Sequence, residues 1–165
     1  MDIESSIRPA RGSDAEAVSQ VILSALRETN AKDYTPEIIA RLERNFSRAA
    51  VQELISKRKV FVAVLGQQIV GTASLDGKMI RSVFVAPNSQ GRGIGRRLIA
   101  EVERAAREAG IMALVVPSSV TAEQFYAKLG FKAVRDSYHD DERTIIMERQ
   151  LAPAGRNGAG SGNSN

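Results

Sequence analysis

Cysteine is absent from the 165-residue chain, and with it any disulfide framework, thiolate metal site or cysteine nucleophile. Tryptophan is absent as well, histidine occurs once, and aromatic residues make up 5%. A single imidazole excludes any site built on two, and so few rings argue against a stacking platform for single-stranded nucleic acid. No window approaches the roughly 18 apolar residues of a membrane-spanning helix. The opening MDIESSIRPA carries charge and lacks the apolar run of a secretory signal. These absences set the expectation of a cytoplasmic protein with neither membrane nor nucleic acid among its partners. What is present is ordinary for a globular chain, with 43% hydrophobic and 25% charged residues. The formal net charge of +4 comes from 23 Lys and Arg against 19 Asp and Glu. The cations are scattered among acids rather than gathered on the stripe a nucleic-acid binder shows.

The first third reads as helical after a short strand at 3–8. Ser13 offers an N-cap, and Val18, Val21, Ile22, Ala25 and Leu26 recur at helical spacing. Thr35-Pro36-Glu37 reads as a second cap with proline at the first helical position, and Ser47 as a third start. The basic run Lys57-Arg58-Lys59 reads as a solvated helix end, where cations suit the dipole. The pattern then turns to strands: KVFVAVL at 59–65, QIVGTASL at 68–75, and MIRSVFV at 79–85. Asp76-Gly77 is a strong hairpin signal between the last two, so the three predict an antiparallel meander. A helical stripe follows over 93–109, then a strand at 111–116, a helix at 121–129, and strands at 131–134 and 143–150. One domain over 1–151 is expected. The remaining 14 residues, APAGRNGAGSGNSN, have almost nothing to bury and predict a flexible tail.

The most informative stretch is VFVAPNSQGRGIGRRL at 83–98. Gly91, Gly93 and Gly95 stand where a helix should begin, although each costs about 1 kcal/mol against alanine inside one. Arg92, Arg96 and Arg97 stand at the positive end of the helix dipole, the unfavourable place for cations. A bound polyanion explains both, because glycines let backbone N–H groups approach phosphate oxygens and the dipole and arginines match the charge. A phosphate-binding P-loop would need Lys-Ser/Thr after the glycines, and none follows. The dinucleotide fingerprint needs G-x-G-x-x-G, whereas the spacing here is G-x-G-x-G after a strand of an antiparallel meander. A glycine-rich loop with merely solvated arginines is the plain alternative.

Gln90-Gly91-Arg92-Gly93-Ile94-Gly95, with Pro87 before it and Leu98 after it, resembles the coenzyme A signature of the GNAT superfamily of N-acetyltransferases. Ala122-x-x-Phe125-Tyr126-x-x-Leu129-Gly130-Phe131 resembles a second segment of the same superfamily, in the right order along the chain. The resemblance implies an α/β fold (α+β by stricter naming), with a mixed, mostly antiparallel sheet of about six or seven strands and helices on both faces. It implies acetyl-CoA as co-substrate, with no metal. The strand before the signature would carry a bulge and splay from the next parallel strand to admit the pantetheine arm. Val83, Phe84 and Val85 would then bind pantetheine and the acetyl carbonyl through their main chain. Gln90, Gly91, Arg92, Gly93, Ile94, Gly95 and Arg96 would hold the pyrophosphate, with Arg92, Arg96 or Arg97 reaching the 3′-phosphate. Many relatives have an asparagine after the next strand; here Ser119 either makes the equivalent bond or, with Ser118, leads into a helix capped by Thr121.

Tyr126 resembles the tyrosine that protonates the coenzyme A sulfur. Many relatives place a carboxylate base on the strand before the signature, where this chain has Met79-Ile80-Arg81-Ser82 and no acid. Asp76 is the nearest candidate base, with relay by ordered water as the alternative, and Glu28, Asp33 and Glu123 further off. Tyr138 and His139 are candidates for the acceptor pocket; one His beside Asp140 and Asp141 lacks the convergent spacing of a zinc site. The expected activity is transfer of acetyl to a primary amine, of a small molecule or a protein, by direct attack in a ternary complex. The alternative is a non-catalytic acetyl-CoA-binding module that regulates a partner protein. Relatives commonly dimerise, so a homodimer joins the expectations, although no segment here marks an interface.

Overall fold

The computed structural model describes residues 5–28, 34–139 and 142–152. Its elements follow in the order β1 (Ser6–Pro9), α1 (Ala15–Glu28), α2 (Pro36–Asn45), α3 (Arg48–Lys57), β2 (Lys59–Leu65), β3 (Gln68–Asp76) and β4 (Met79–Val85). Then come α4 (Ile94–Glu108), β5 (Ala113–Ser118), α5 (Glu123–Lys128), β6 (Lys132–His139) and β7 (Glu142–Gln150).

The apolar run of β2 is continuous because both faces of the sheet are covered. Phe61 and Ala63 enter a core with Leu98, Ile99 and Val102 of α4, while Val62 joins Val18, Ile22 and Leu26 of α1 and Val51 of α3 on the opposite face. The seven strands run in the order β1-β2-β3-β4-β5-β7-β6. Neighbours are antiparallel except β4 and β5, which pair in parallel with register Met79↔Val115. That is the mixed, mostly antiparallel sheet with helices on both faces expected from the sequence, and no described helix is long and apolar enough to cross a membrane.

The helix starts are set by local hydrogen bonds. Thr35 Oγ1 accepts from the Ile38 N–H at 3.2 Å and Ser47 Oγ from the Ala50 N–H at 3.3 Å, as the sequence predicts. Ser13 does not cap α1. It lies within a 3-10 turn, Gly12–Asp14, and the buried Asp14 carboxylate accepts from the Arg11 N–H at 2.7 Å and pairs with Arg8 at 2.8 Å. The Arg8 guanidinium holds the Asp14 carboxyl below the usual range, with the Arg11 amide assisting, against the opposing effect of burial. Thr121 is likewise not the cap near α5; Ser119 Oγ accepts from the Ala122 N–H at 3.2 Å instead. The last hairpin is longer than the sequence suggests, since β6 runs on through Tyr138 and His139. Asp33, Asp140, Asp141 and the tail beyond Ala152 lie outside the described residues.

Gly71 fixes how closely α4 approaches the sheet. A Cβ there would stand 3.1 Å from both Ile94 Cγ2 and Leu98 Cδ1 and 3.3 Å from the Phe84 carbonyl oxygen. Gly71→Val therefore overpacks this layer, at a cost of about 1–3 kcal/mol. The expected fall in melting temperature is roughly 2–12 °C by differential scanning calorimetry. An unchanged melting temperature would show that α4 shifts freely on the sheet.

Candidate active site

Two cavities meet where β4 and β5 part. The geometry begins at Ser82, a non-glycine residue with φ of 57°. Across the ladder Ser74 pairs with Arg81 and Thr72 with Phe84, so β4 spends two residues, Ser82 and Val83, against one on β3. That is a β-bulge, and it bends β4 and re-aims its side chains. Beyond Met79↔Val115 no further register pair joins β4 to β5 among the described residues. Phe84 and Val85 pair with Thr72 and Gly71 of β3, and among the described residues no register pair joins Val83–Val85 to β5.

The larger cavity, about 610 Å³, runs from this open edge to the start of α4. It is lined by Val83, Phe84, Val85, Gln90, Gly91, Gly93, Ile94, Gly95, Arg96, Ser119 and Tyr126, all anticipated from the sequence. Ala25, Ser89, Phe125 and Lys128 line it as well and were not anticipated; their residue types carry no chemical signal by themselves. Gly91 and Gly93 have φ of 83° and 78°, conformations that favour glycine, and Gly93 is the N-cap of α4 with no side-chain cap bond. The first turn of α4 also has no acid, so its N–H groups and dipole face the cavity mouth unanswered. Gly95 serves a different end. A Cβ there would sit 3.1 Å from the Phe125 ring, so the glycine lets α5 close against α4.

The three arginines separate. Arg96 lines the cavity, Arg92 is exposed and outside the lining, and Arg97 is bonded to Ser5 Oγ. Gln90 Nε2 donates to the Val85 carbonyl at 3.3 Å and ties the loop to β4.

The smaller cavity, about 270 Å³, has a different character. Tyr34, Phe46, Arg58, Arg81, Ser82 and Ser118 line it, and it shares Val83, Phe84, Ser119, Ala122 and Tyr126 with the larger one. Tyr126 is thus a wall common to both. Its ring packs edge-on against Phe125 and Phe131, with centroids 5.0 and 5.7 Å away. The residue is 4% exposed, and burial pushes its hydroxyl pKa well above the ordinary tyrosine value.

Asp76 stands apart from both cavities: it lines neither, and its half-exposed carboxylate lies 3.2 Å from Arg81 Nε and 3.8 Å from Arg58 Nε. The reason is the hairpin, which puts Asp76 opposite Met79 at the strand end beside these guanidiniums. Glu28 is exposed, Glu123 is half-buried, and neither lines either cavity; Tyr138 and His139 also lie outside both. Arg58 corrects the reading of the basic run, because it turns inward with only 18% of its side chain exposed. Its Nη1 is 3.3 Å from Ser82 Oγ and 3.5 Å from Ser74 Oγ. Burial pulls its pKa down, Asp76 pushes back, and the like charge of Arg81 adds to the lowering. Only the fold shows this, since in sequence Arg58 is one of three consecutive cations. Among the described residues no group of acids and histidines could hold a metal ion.

The family model for the acetyltransferase (GNAT) domain matches residues 30–148. An uncharacterized N-acetyltransferase of Escherichia coli, YafP, is 26% identical over 129 residues, spanning 78% of this chain and 82% of its own. The crystal structure of a GCN5-related N-acetyltransferase from Rhodopseudomonas palustris superposes with a TM-score of 0.84 at 26% identity, over 92% of this chain and 99% of that one. That of the PaiA N-acetyltransferase from Thermoplasma acidophilum, in complex with coenzyme A, superposes at 0.78 with 21% identity, over 90% and 100%. The chain belongs to the GNAT acetyltransferases, a family of acetyl-CoA-dependent acyltransferases.

The bulge gives a direct test. Ser82→Gly keeps the left-handed residue without strain and should leave stability and coenzyme affinity near wild type. Ser82→Val puts a β-branched side chain at positive φ, where such residues are genuine outliers, and should weaken coenzyme A binding in calorimetry. Equal behaviour of the two variants would mean that the bulge does not shape the cavity.

Proposed function

We propose that this chain transfers the acetyl group of acetyl-CoA to a primary amine by direct attack in a ternary complex. The observation that carries the reading is the meeting, at Tyr126, of two cavities of unlike chemistry. The large one ends at an uncapped, acid-free helix start with Arg96 beside it, which suits a polyphosphate. The smaller one opens on the same tyrosine from the side of Arg58 and Arg81 and suits the acceptor. That the Thermoplasma acidophilum structure is a complex with coenzyme A supports a coenzyme A site in this fold.

Acetyl-CoA would lie with its diphosphate on the amides of residues 91–96 and its pantetheine along the open edge of Val83–Val85. A main-chain N–H of that edge donates to the thioester oxygen as it gains negative charge. Arg92 would meet a phosphate only from outside the lining, and Ser119, whose hydroxyl already accepts from the Ala122 amide, has its donor proton left for pantetheine. The amine nitrogen forms the C–N bond, the C–S bond breaks, and one proton passes in net from nitrogen to sulfur. A thiol ionises near pH 8.5, below the raised pKa of Tyr126. Tyr126 therefore acts chiefly by donating a hydrogen bond to the developing thiolate, and the proton that stays on sulfur originates on the amine. Among the described residues no carboxylate lines either cavity, so an acceptor that arrives as an ammonium sheds its additional proton to water before attack. Having no cysteine, the chain can form no acetyl-cysteine intermediate, which supports the direct route.

Tyr126→Phe should lower kcat by roughly 10- to 100-fold, the worth of a hydrogen bond to a charged group. The calorimetric Kd for acetyl-CoA should stay within about threefold of wild type. A variant with unchanged turnover would remove Tyr126 from the chemistry. Coenzyme binding without turnover of any amine, in the wild type, would favour a non-catalytic regulatory module.

A further inference from the structure

We infer that the acceptor is a small primary amine bearing a carboxylate, held by Arg58 and Arg81 in the smaller cavity; the inference rests on the acetyl-transfer reading above. Charge is the first argument. Among the described residues, the ionic side chains that line this cavity are two guanidiniums, and arginine keeps its charge at any physiological pH. Asp76 lies behind them, half exposed, and one carboxylate shared at 3.2 and 3.8 Å leaves one positive charge uncompensated. The Nε of Arg81 is buried and, although near Asp76, makes no aligned hydrogen bond. A buried donor atom without an aligned acceptor is costly, and a ligand carboxylate that reaches this guanidinium relieves part of that cost.

The same argument excludes other acceptor classes. A diamine or polyamine would bring a second cation towards two guanidiniums with no acid among the described lining residues to receive it. A neutral amine would displace water from Arg58 and Arg81 and return nothing. The volume, about 270 Å³, is at the small end for ligand sites, which run roughly 300–1,000 Å³. It suits an amino acid-sized molecule better than a stretch of peptide. Polarity then sets the orientation. With the carboxylate at Arg58 and Arg81, and the Ser82 hydroxyl beside Arg58 at 3.3 Å, the amine points towards the shared wall at Phe84 and Tyr126, where the acetyl group would lie.

The test uses the full chain with acetyl-CoA and a matched acceptor series: a set of small amino acids, their carboxamides, the corresponding decarboxylated amines, aminoalkyl phosphonates and a diamine. Thiol release is the readout. The amino acids should exceed their amides and decarboxylated partners in kcat/KM by about 10- to 100-fold, as expected for charge-assisted bonds. Arg81→Met should raise KM for the preferred amino acid by a similar factor, change that of its amide little, and leave the calorimetric Kd for acetyl-CoA unaltered. Arg81→Lys should restore part of the loss. Arg58→Met should behave like Arg81→Met; if loss of its contacts with Ser74 and Ser82 prevents folding, the acceptor series and the Arg81 variants decide. Equal or better turnover of amides, diamine or phosphonates overturns the carboxylate assignment while leaving acetyl transfer standing. So does a loss in Arg81→Met that is the same for acid and amide. Failure to bind acetyl-CoA brings down both readings, and binding with no turnover of any amino acid overturns this one.

Discussion

The structure turns on one strained residue. Ser82 holds φ of 57° in the middle of a strand, where an L side chain carries a penalty on the order of 1–2 kcal/mol. The penalty is offset by what surrounds it: Ser74 Oγ donates to the Arg81 carbonyl at 2.8 Å, and Arg58 Nη1 lies 3.3 Å from Ser82 Oγ. Without the bulge, β4 would continue its parallel ladder with β5, and the edge of Val83–Val85 would be consumed by sheet hydrogen bonds. With it, the two strands part after Met79↔Val115 and a slot opens through the sheet. The cavities on either side exist because this ladder stops.

The walls of the slot show how packing serves it. Gly71 lets α4 lie close on β3 beside Ile94, and Gly95 lets Phe125 seat against the first turn of α4. The turn that carries the open amides is therefore clamped from two sides while its own N-terminus stays uncapped. A conventional N-cap with acids in the first turn would have stabilised α4 by about 1 kcal/mol. The chain forgoes this at a helix start that lines the larger cavity, while α2 and α3 keep their Thr35 and Ser47 caps.

How much of this was legible in the sequence follows from how local each signal is. The meander, the helix starts at Thr35 and Ser47 and the glycine-studded opening of α4 are properties of a few adjacent residues, and the structure agrees with them. The resemblance to the GNAT superfamily supplied the bulge and the splay, which no local pattern announces. What was misread is non-local. Asp76 looked like a carboxylate near the site, but its face of the hairpin is decided by pairing with Met79 and by two arginines, one of them 18 residues earlier. Arg58 looked like solvated charge because its inward turn depends on where α3 delivers it against β3 and β4. A cation near a helix end and a cation in a pocket read alike until strands from elsewhere close over one of them.

The two misread residues are parts of one arrangement, and that arrangement bears on the missing base. A carboxylate in the acceptor cavity would take a proton from the incoming ammonium but would also hold that ammonium charged by Coulomb attraction. If the smaller cavity takes the acceptor as proposed, Arg58 and Arg81 would act the other way, since nearby positive charge disfavours the ammonium form and lowers the pKa of an amine. A shift of one unit corresponds to about 1.4 kcal/mol, and at neutral pH each unit raises the neutral, nucleophilic fraction of a lysine-like amine about tenfold. On the proposal of a carboxylate-bearing acceptor, the ligand's own carboxylate takes up the one uncompensated charge, so the two guanidiniums serve to hold that end of the molecule. The position of Asp76 outside the cavity fits the same proposal, because a carboxylate within it would compete with the acceptor for both arginines.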